Sequence, residues 1–157
     1  MPASPFDLVD FLKQNGLVVA LAESCTGGMI ASAITNVPGS STVFDRGFVT
    51  YSNQAKIDCL GVNATTLESF GAVSEETAVE MALGALKNSD ASIALSVTGV
   101  AGPGGGSKQK PVGIVYFGLA GKNFEEVKTF QKHFSGDRNE IRSQATRFAL
   151  LLLQNEV

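Results

Sequence analysis

The sequence predicts an α/β protein, and three observations carry that reading. An uncharged apolar run, Leu17 to Ala22, has the length and composition of a strand buried on both faces. It leads through the turn Glu23 to Gly28 into Met29, Ile30, Ala33, Ile34 and Val37, apolar positions at three- and four-residue steps that stop at Pro38. Further along, a helical stretch from Ser74 feeds a strand ending at Thr98, and a helix that leads into the next strand implies a parallel crossover.

The elements follow in order. Ser4 caps a first helix with Pro5 at its opening position, and Phe6, Val9, Leu12 and Lys13 carry it to Gly16. After the strand Leu17 to Ala22 and the helix 28–36, Val43 to Tyr51 is rich in β-branched and aromatic residues and reads as a strand. Asn53 is expected to cap a short helix carrying Lys56, Ile57 and Leu60, which Gly61 stops. Thr65 to Phe70 reads as another short helix. Ser74 caps a longer one with Glu75 and Glu76 in its first turn and a small-residue face of Ala78, Met81, Ala82 and Ala85, a face that suits a homodimer contact. Ala91 to Thr98 and Val112 to Ala120 are strands, and Glu125 to Phe134 alternates like an edge strand that carries His133. Asp137 and Glu140 form a capping-box start for a final helix reaching about Leu153.

Composition narrows the function. The 157 residues suit one domain spanning 1–157; 44% are hydrophobic and 17% charged. A net charge of −3 argues against a basic nucleic-acid face. No run approaches the roughly 20 apolar residues of a membrane span, and no basic flank precedes an apolar leader, so the expected location is cytoplasmic. Cys25 and Cys59 have neither disulfide-framework nor zinc spacing, so no metal is expected, and no cofactor is expected either. A single histidine leaves few routes to a Ser-His-Asp triad.

Ser24, Cys25 and Thr26 put three nucleophile-capable side chains at a strand's carboxyl end and a helix N-terminus, where free N–H groups favour developing negative charge. The plainer reading makes Ser24 or Thr26 the helix cap and Gly27-Gly28 a tight turn, and spacing leaves both open. Lys56 falls in the first turn of its helix, where the dipole disfavours its charge and burial would lower its pKa, although a surface lysine is the simpler reading. Gly99 to Ser107 holds five glycines in nine residues; it fits neither a Walker A loop nor a dinucleotide fingerprint, and is either a close approach to a ligand or a flexible hairpin connection. Arg138 and Arg142 oppose the dipole of the last helix, which a nearby anion would explain. Loops after Ala22 and Thr98 open on one side of a parallel sheet, so the expected site combines Ser24 to Gly28, the glycine loop, Tyr51 and Lys56.

With those residues assembled, the chain resembles the CinA carboxy-terminal domain family, most closely its stand-alone nicotinamide-nucleotide amidases. The stretches that carry the resemblance are Ala22 to Gly28, Gly47 to Lys56, Gly71 to Glu76, Thr98 to Ser107, Lys110 to Gly113 and Phe134 to Arg138, in order along nearly the whole chain. Ile114 is one departure, and it bears on packing. The resemblance implies a three-layer α/β/α sandwich with a mixed, mostly parallel sheet, and hydrolysis of the amide of nicotinamide mononucleotide to nicotinate mononucleotide and ammonia without metal. It implies Ser24 as nucleophile and Lys56 as base, with Tyr51 alongside.

The chemistry of the residues fits that assignment, because serine needs an adjacent base and a lysine held neutral can serve. The N–H groups of Thr26, Gly27 and Gly28 would hold the oxyanion. The substrate phosphate would fall to the strand end and glycine loop (Thr98, Gly99, Gly102, Gly105) with one of Arg46, Arg138 or Arg142, in one subunit or from its neighbour in a homodimer or higher homo-oligomer. Cys25 is the rival nucleophile, expected instead as a small buried residue. The competing function is a non-catalytic nucleotide-binding or interaction module on the same fold.

Overall fold

A computed structural model describes residues 4–157. The elements run α1 (Pro5–Gln14), β1 (Val19–Glu23), α2 (Met29–Thr35), a 3-10 turn (Ser40–Thr42), β2 (Phe44–Val49), α3 (Asn53–Leu60), α4 (Ala64–Phe70), α5 (Glu75–Lys87), β3 (Ile93–Gly99), β4 (Ile114–Gly121), β5 (Lys128–His133) and α6 (Arg138–Asn155). The strands form one sheet in the order β2-β1-β3-β4-β5. β1 pairs parallel with both β2 and β3, whereas β4 is antiparallel to β3 and to β5, so β4 alone runs against the other strands. Helices α1, α2 and α6 cover one face and α3, α4 and α5 the other, which is the expected three-layer α/β/α sandwich with a mixed sheet.

Alternation along the central strands makes the two faces unlike. Val19 and Leu21 of β1, with Ile93, Leu95 and Val97 of β3, point into a large apolar core beneath α1, α2 and α6, joined by Phe117 and the α6 residues Ile141, Ala145 and Ala149. The intervening residues are small: Ala20, Ala22 and Ala94 pack against Met81 and Ala85 of α5. Ser96 donates from Oγ to the Ala78 carbonyl at 2.5 Å, and a Cβ at Gly118 would stand 2.6 Å from that same oxygen. The backbone of α5 therefore lies almost on the sheet. The small residues Ala78, Met81, Ala82 and Ala85 of this helix are buried inside the molecule's own fold and do not form a surface face.

Local starts and stops mostly follow the sequence. Ser4 caps α1, Ser74 caps α5, and the Asp137–Glu140 capping box opens α6 with both of its hydrogen bonds made. For α3 the cap is one residue earlier than expected: the Ser52 hydroxyl accepts from the Ala55 N–H, while Asn53 is already helical. His133 is exposed on the edge strand with Nε2 3.0 Å from the Val112 carbonyl, as a strand side chain should be. Among the described residues no helix is long and apolar enough to cross a membrane, and no group of three His, Cys, Asp or Glu side chains is placed to hold a metal ion.

Candidate active site

Parallel strands β2, β1 and β3 end on one edge of the sheet, and the chain leaving each delivers one part of a single cluster. Ser24 follows β1 directly, its N–H donating to the Val97 carbonyl of β3. Thr50 follows β2, its N–H donating to the Glu23 carbonyl of β1. From Thr50 the chain turns through Tyr51 and the Ser52 cap into α3, whose fourth residue is Lys56. Register thus carries a serine and a lysine 32 positions apart to the same point.

Lys56 Nζ stands 3.0 Å from Ser24 Oγ, 2.8 Å from the Thr50 carbonyl oxygen and 3.3 Å from that of Tyr51. The lysine is only 1% exposed, so the surface reading of it fails. No carboxylate pairs with it; the ion pairs among the described residues are those of Arg46 with Asp45 and Asp90. Burial without a counter-charge disfavours the ammonium form and holds the Lys56 pKa below the ordinary lysine value, against a smaller opposing influence from Cys25. Cys25 is itself buried, and desolvation pushes its thiol up to about 11. It is protonated at neutral pH and lacks the thiolate a nucleophile needs.

The turn between β1 and α2 is organised by two residues, and sequence reasoning gave neither of them this task. Gly28 occupies the cap position of α2 with φ +101° and no side chain to cap with. The Glu23 carboxylate does that work, accepting at Oε1 from the N–H groups of Gly28 (3.2 Å) and Ile30 (3.0 Å) and at Oε2 from Ala31 (3.0 Å). From the other side Arg142 donates through Nε to the Cys25 carbonyl at 3.0 Å and through Nη2 to the Thr26 carbonyl at 3.3 Å. The Gly27 N–H closes onto the Ser24 carbonyl. Two expected oxyanion donors, Gly27 and Gly28, are therefore already committed. Among the described residues the turn's uncommitted N–H groups are those of Cys25 and Thr26.

A cavity of about 170 Å³ opens at the cluster, lined by Ser24, Cys25, Tyr51, Lys56, Thr98, Gly99 and Arg138, with Ala72, Val73 and Ala101. Ala72 and Val73 come from the α4–α5 connection and were not foreseen; Thr98 Oγ1 holds that connection by donating to the Ala72 carbonyl at 2.7 Å. Arg138 reaches the rim, donating from Nη1 to the Gly102 carbonyl at 2.6 Å and from Nη2 to the Tyr51 hydroxyl at 3.0 Å. Tyr51 is 62% exposed, so the rim is open to solvent. The glycine loop enters the lining through Gly99 and Ala101, whereas Gly105 is exposed and lies outside it.

Arg46 is not brought to the cluster. It pairs with Ala20 in the ladder, three positions before Glu23, and its guanidinium is spent on Asp45, Asp90 and the Asn88 carbonyl. Larger hollows, such as one of about 430 Å³ between α3 and α5, are lined by exposed groups including Asp58, Lys87 and Asn88. They bring no hydroxyl onto a buried amine.

Comparison with known proteins identifies the relatives of the chain. The family described as the CinA C-terminal domain matches residues 5–157. A putative competence-damage inducible protein of Caldicellulosiruptor saccharolyticus is 56% identical over 150 residues, covering 96% of this chain and 36% of the relative. The chain thus spans little more than a third of the first relatives it matches. A protein of Enterobacter agglomerans named nicotinamide-nucleotide amidohydrolase PncC is 58% identical over 139 residues, covering 88% of this chain and 84% of the relative. A crystal structure of a CinA-superfamily protein from Escherichia coli superposes with a TM-score of 0.93 at 37% identity, covering 99% of this chain and 90% of that one.

Proposed function

The chain belongs to the CinA C-terminal domain family, and from that premise we propose that it is a serine amidohydrolase, cleaving the carboxamide of nicotinamide mononucleotide to nicotinate mononucleotide and ammonia. The observation that carries the reading is the buried Lys56 amine 3.0 Å from the Ser24 hydroxyl. The substrate comes from the name borne by relatives such as the Enterobacter agglomerans protein, matched over most of both chains.

Burial favours the neutral form of Lys56, and its partners accommodate that form as a base. A neutral amine has two N–H donors and one lone pair. The ammonium form would donate to all three oxygens around Nζ; in the neutral form the carbonyls of Thr50 and Tyr51 take the two donors and the Ser24 hydroxyl, 3.0 Å away, donates to the lone pair. Ser24 Oγ then attacks the carboxamide carbon while its proton passes to Lys56. The oxyanion falls to the free N–H group of Cys25, which lines the cavity, such a donor typically being worth ~3 kcal/mol of barrier. As the tetrahedral intermediate collapses, the C–N bond breaks and Lys56 returns the proton to the departing ammonia. A water, deprotonated by the same amine, attacks the acyl-serine; the C–O bond breaks and the proton goes back to Ser24. The steps use only groups of this chain, the amide and water.

A cavity of about 170 Å³ is smaller than the pockets that enclose whole drug-sized ligands. It encloses the reacting pyridine-carboxamide head and leaves ribose and phosphate to run out across the rim, where Arg138 is the guanidinium at hand. Arg142, with its donors on turn carbonyls, is the weaker candidate for that phosphate. The test is ammonia release from nicotinamide mononucleotide by the purified chain, with Ser24→Ala as control. Turnover abolished by Ser24→Ala is the expected result. Saturable nucleotide binding without turnover would refute the enzyme and leave a binding module.

A further inference from the structure

Resting on the amidase reading, we infer that Glu23 and Arg142 are positioning residues that clamp the nucleophile turn, so that Ser24 and the N–H group of Cys25, both lining the cavity, stay presented to the reacting carbonyl. Glu23 is a buried carboxylate, 1% exposed, that none of the steps above uses. It would stand bare in the interior if it did not accept three backbone N–H groups, and those three belong to the start of α2. Its carboxylate thereby fills the helix N-terminus that would otherwise attract the substrate's anion. Its main chain continues into Ser24, and its carbonyl holds Thr50, whose own carbonyl positions Lys56 Nζ. One residue is therefore linked to both members of the pair, to Ser24 along the chain and to Lys56 through Thr50.

Arg142 supplies the other jaw. In a trans peptide the C=O and the N–H point opposite ways. By taking the Cys25 carbonyl, Arg142 turns the Thr26 N–H of that same peptide to the opposite side. By taking the Thr26 carbonyl, it turns the Gly27 N–H away as well, where it closes on Ser24. A Cβ at Gly27 would stand 3.2 Å from Arg142 Nη2, so the guanidinium lies directly against the turn. The carboxylate on one side and the guanidinium on the other hold the peptide planes at fixed angles, and a preset donor is what makes an oxyanion site effective.

The variants are Glu23→Gln, Glu23→Asp, Arg142→Lys and the double variant Glu23→Gln/Arg142→Lys. Glutamine keeps the shape but turns one acceptor into an N–H donor facing backbone N–H groups, so the seat of α2 shifts. Two readouts are taken on protein shown to be folded: steady-state ammonia release from nicotinamide mononucleotide, and the rate at which a fluorophosphonate phosphonylates Ser24 with loss of fluoride, followed by mass spectrometry. Each single substitution is expected to lower both kcat and labelling rate about 10–100-fold, with KM within about 3-fold and the acid limb of the pH profile unmoved. Glu23→Asp should fall between wild type and Glu23→Gln. The double variant should lose less than the product of the single losses, because both residues hold one turn.

A lower melting temperature with kcat and labelling within about 2-fold of wild type would reduce the pair to structural support and overturn the inference. A raised KM at unchanged kcat in Arg142→Lys would make that arginine a substrate contact, and a moved acid limb would make Glu23 an electrostatic partner of Lys56; each overturns it. If wild type labels at Ser24 but releases no ammonia, the amidase reading falls while labelling still tests the clamp. A serine that neither labels nor turns over removes both.

Discussion

Replacing Lys56 with methionine removes the amine while keeping an unbranched chain of similar length in the same buried slot. General-base contributions run to about 10²–10⁴-fold, so kcat/KM should fall at least ~100-fold, about 2.7 kcal/mol or more of barrier. The wild-type profile of kcat/KM against pH should rise with one deprotonation and level off, with its midpoint below the 10.5 of an ordinary lysine, because burial opposes the ammonium form and no carboxylate offsets it. The same shift fixes the sign of a stability effect. The unfolded chain binds a proton that the folded chain has given up, so stability rises with pH from the folded pKa of Lys56 up to its unfolded value, with a slope of at most about 1.4 kcal/mol per pH unit from this group. Below that window the cost of burying Lys56 is fully present. Methionine has no such proton, so the difference in urea midpoint, wild type minus Lys56→Met, should climb as pH rises through the window. Ammonia release by a coupled glutamate dehydrogenase assay and urea titrations across pH measure both. A rate profile with its midpoint at or above the free lysine value, or a Lys56→Met variant with more than a tenth of wild-type activity, would refute the neutral-amine argument.

Two further outcomes test other parts of the structure. Iodoacetamide on the native protein at pH 8 should modify the exposed Cys59 and spare the buried, protonated Cys25, with activity retained; rapid alkylation of Cys25 in peptide mass maps would reverse its exclusion as nucleophile. Gly118→Ala should cost about 1–3 kcal/mol, a Tm loss on the order of 5 °C, because its new methyl meets the Ala78 carbonyl and forces α5 off the sheet; an unchanged Tm in calorimetry would mean that the contact yields freely.

Much of the fold is written in local patterns. The apolar run at β1, the three- and four-residue steps of α2 and the Asp137–Glu140 box each state an element within a few residues, and each formed where expected. Local position singled out Lys56, a lysine in a helix's first turn, and set Ser24 at a strand end, but it left a surface lysine and a helix cap open; their proposed roles came from the family resemblance. Glu23 was not legible. A glutamate at a strand end reads as a solvated group, and only the path of the turn folds its carboxylate back onto Ala31, eight residues on. Arg142 looked like an anion binder because its sequence shows its own helix but not the carbonyls of a turn 117 positions away. Arg46 lies away from its own chain's cluster for the complementary reason: nothing local distinguishes the amino end of a short strand from its carboxyl end, and two carboxylates near the former pair with it. Ala72 and Val73 carry no chemical signature, and they line the cavity solely because Thr98 anchors their backbone.

The pairing of Glu23 with Val49 across β1 and β2 makes the molecule unequally tolerant of changes in length. One residue added between Val49 and Lys56 would slide the amine by about 3.3 Å in extended chain, beyond reach of the serine, while the sheet could still close. The exposed residues 103–109 carry no such constraint, and a loop there can lengthen at little entropic cost. Drift in chain length is thus free at the glycine hairpin and forbidden at the short link after the second strand. Variants of this scaffold are best diversified at the former.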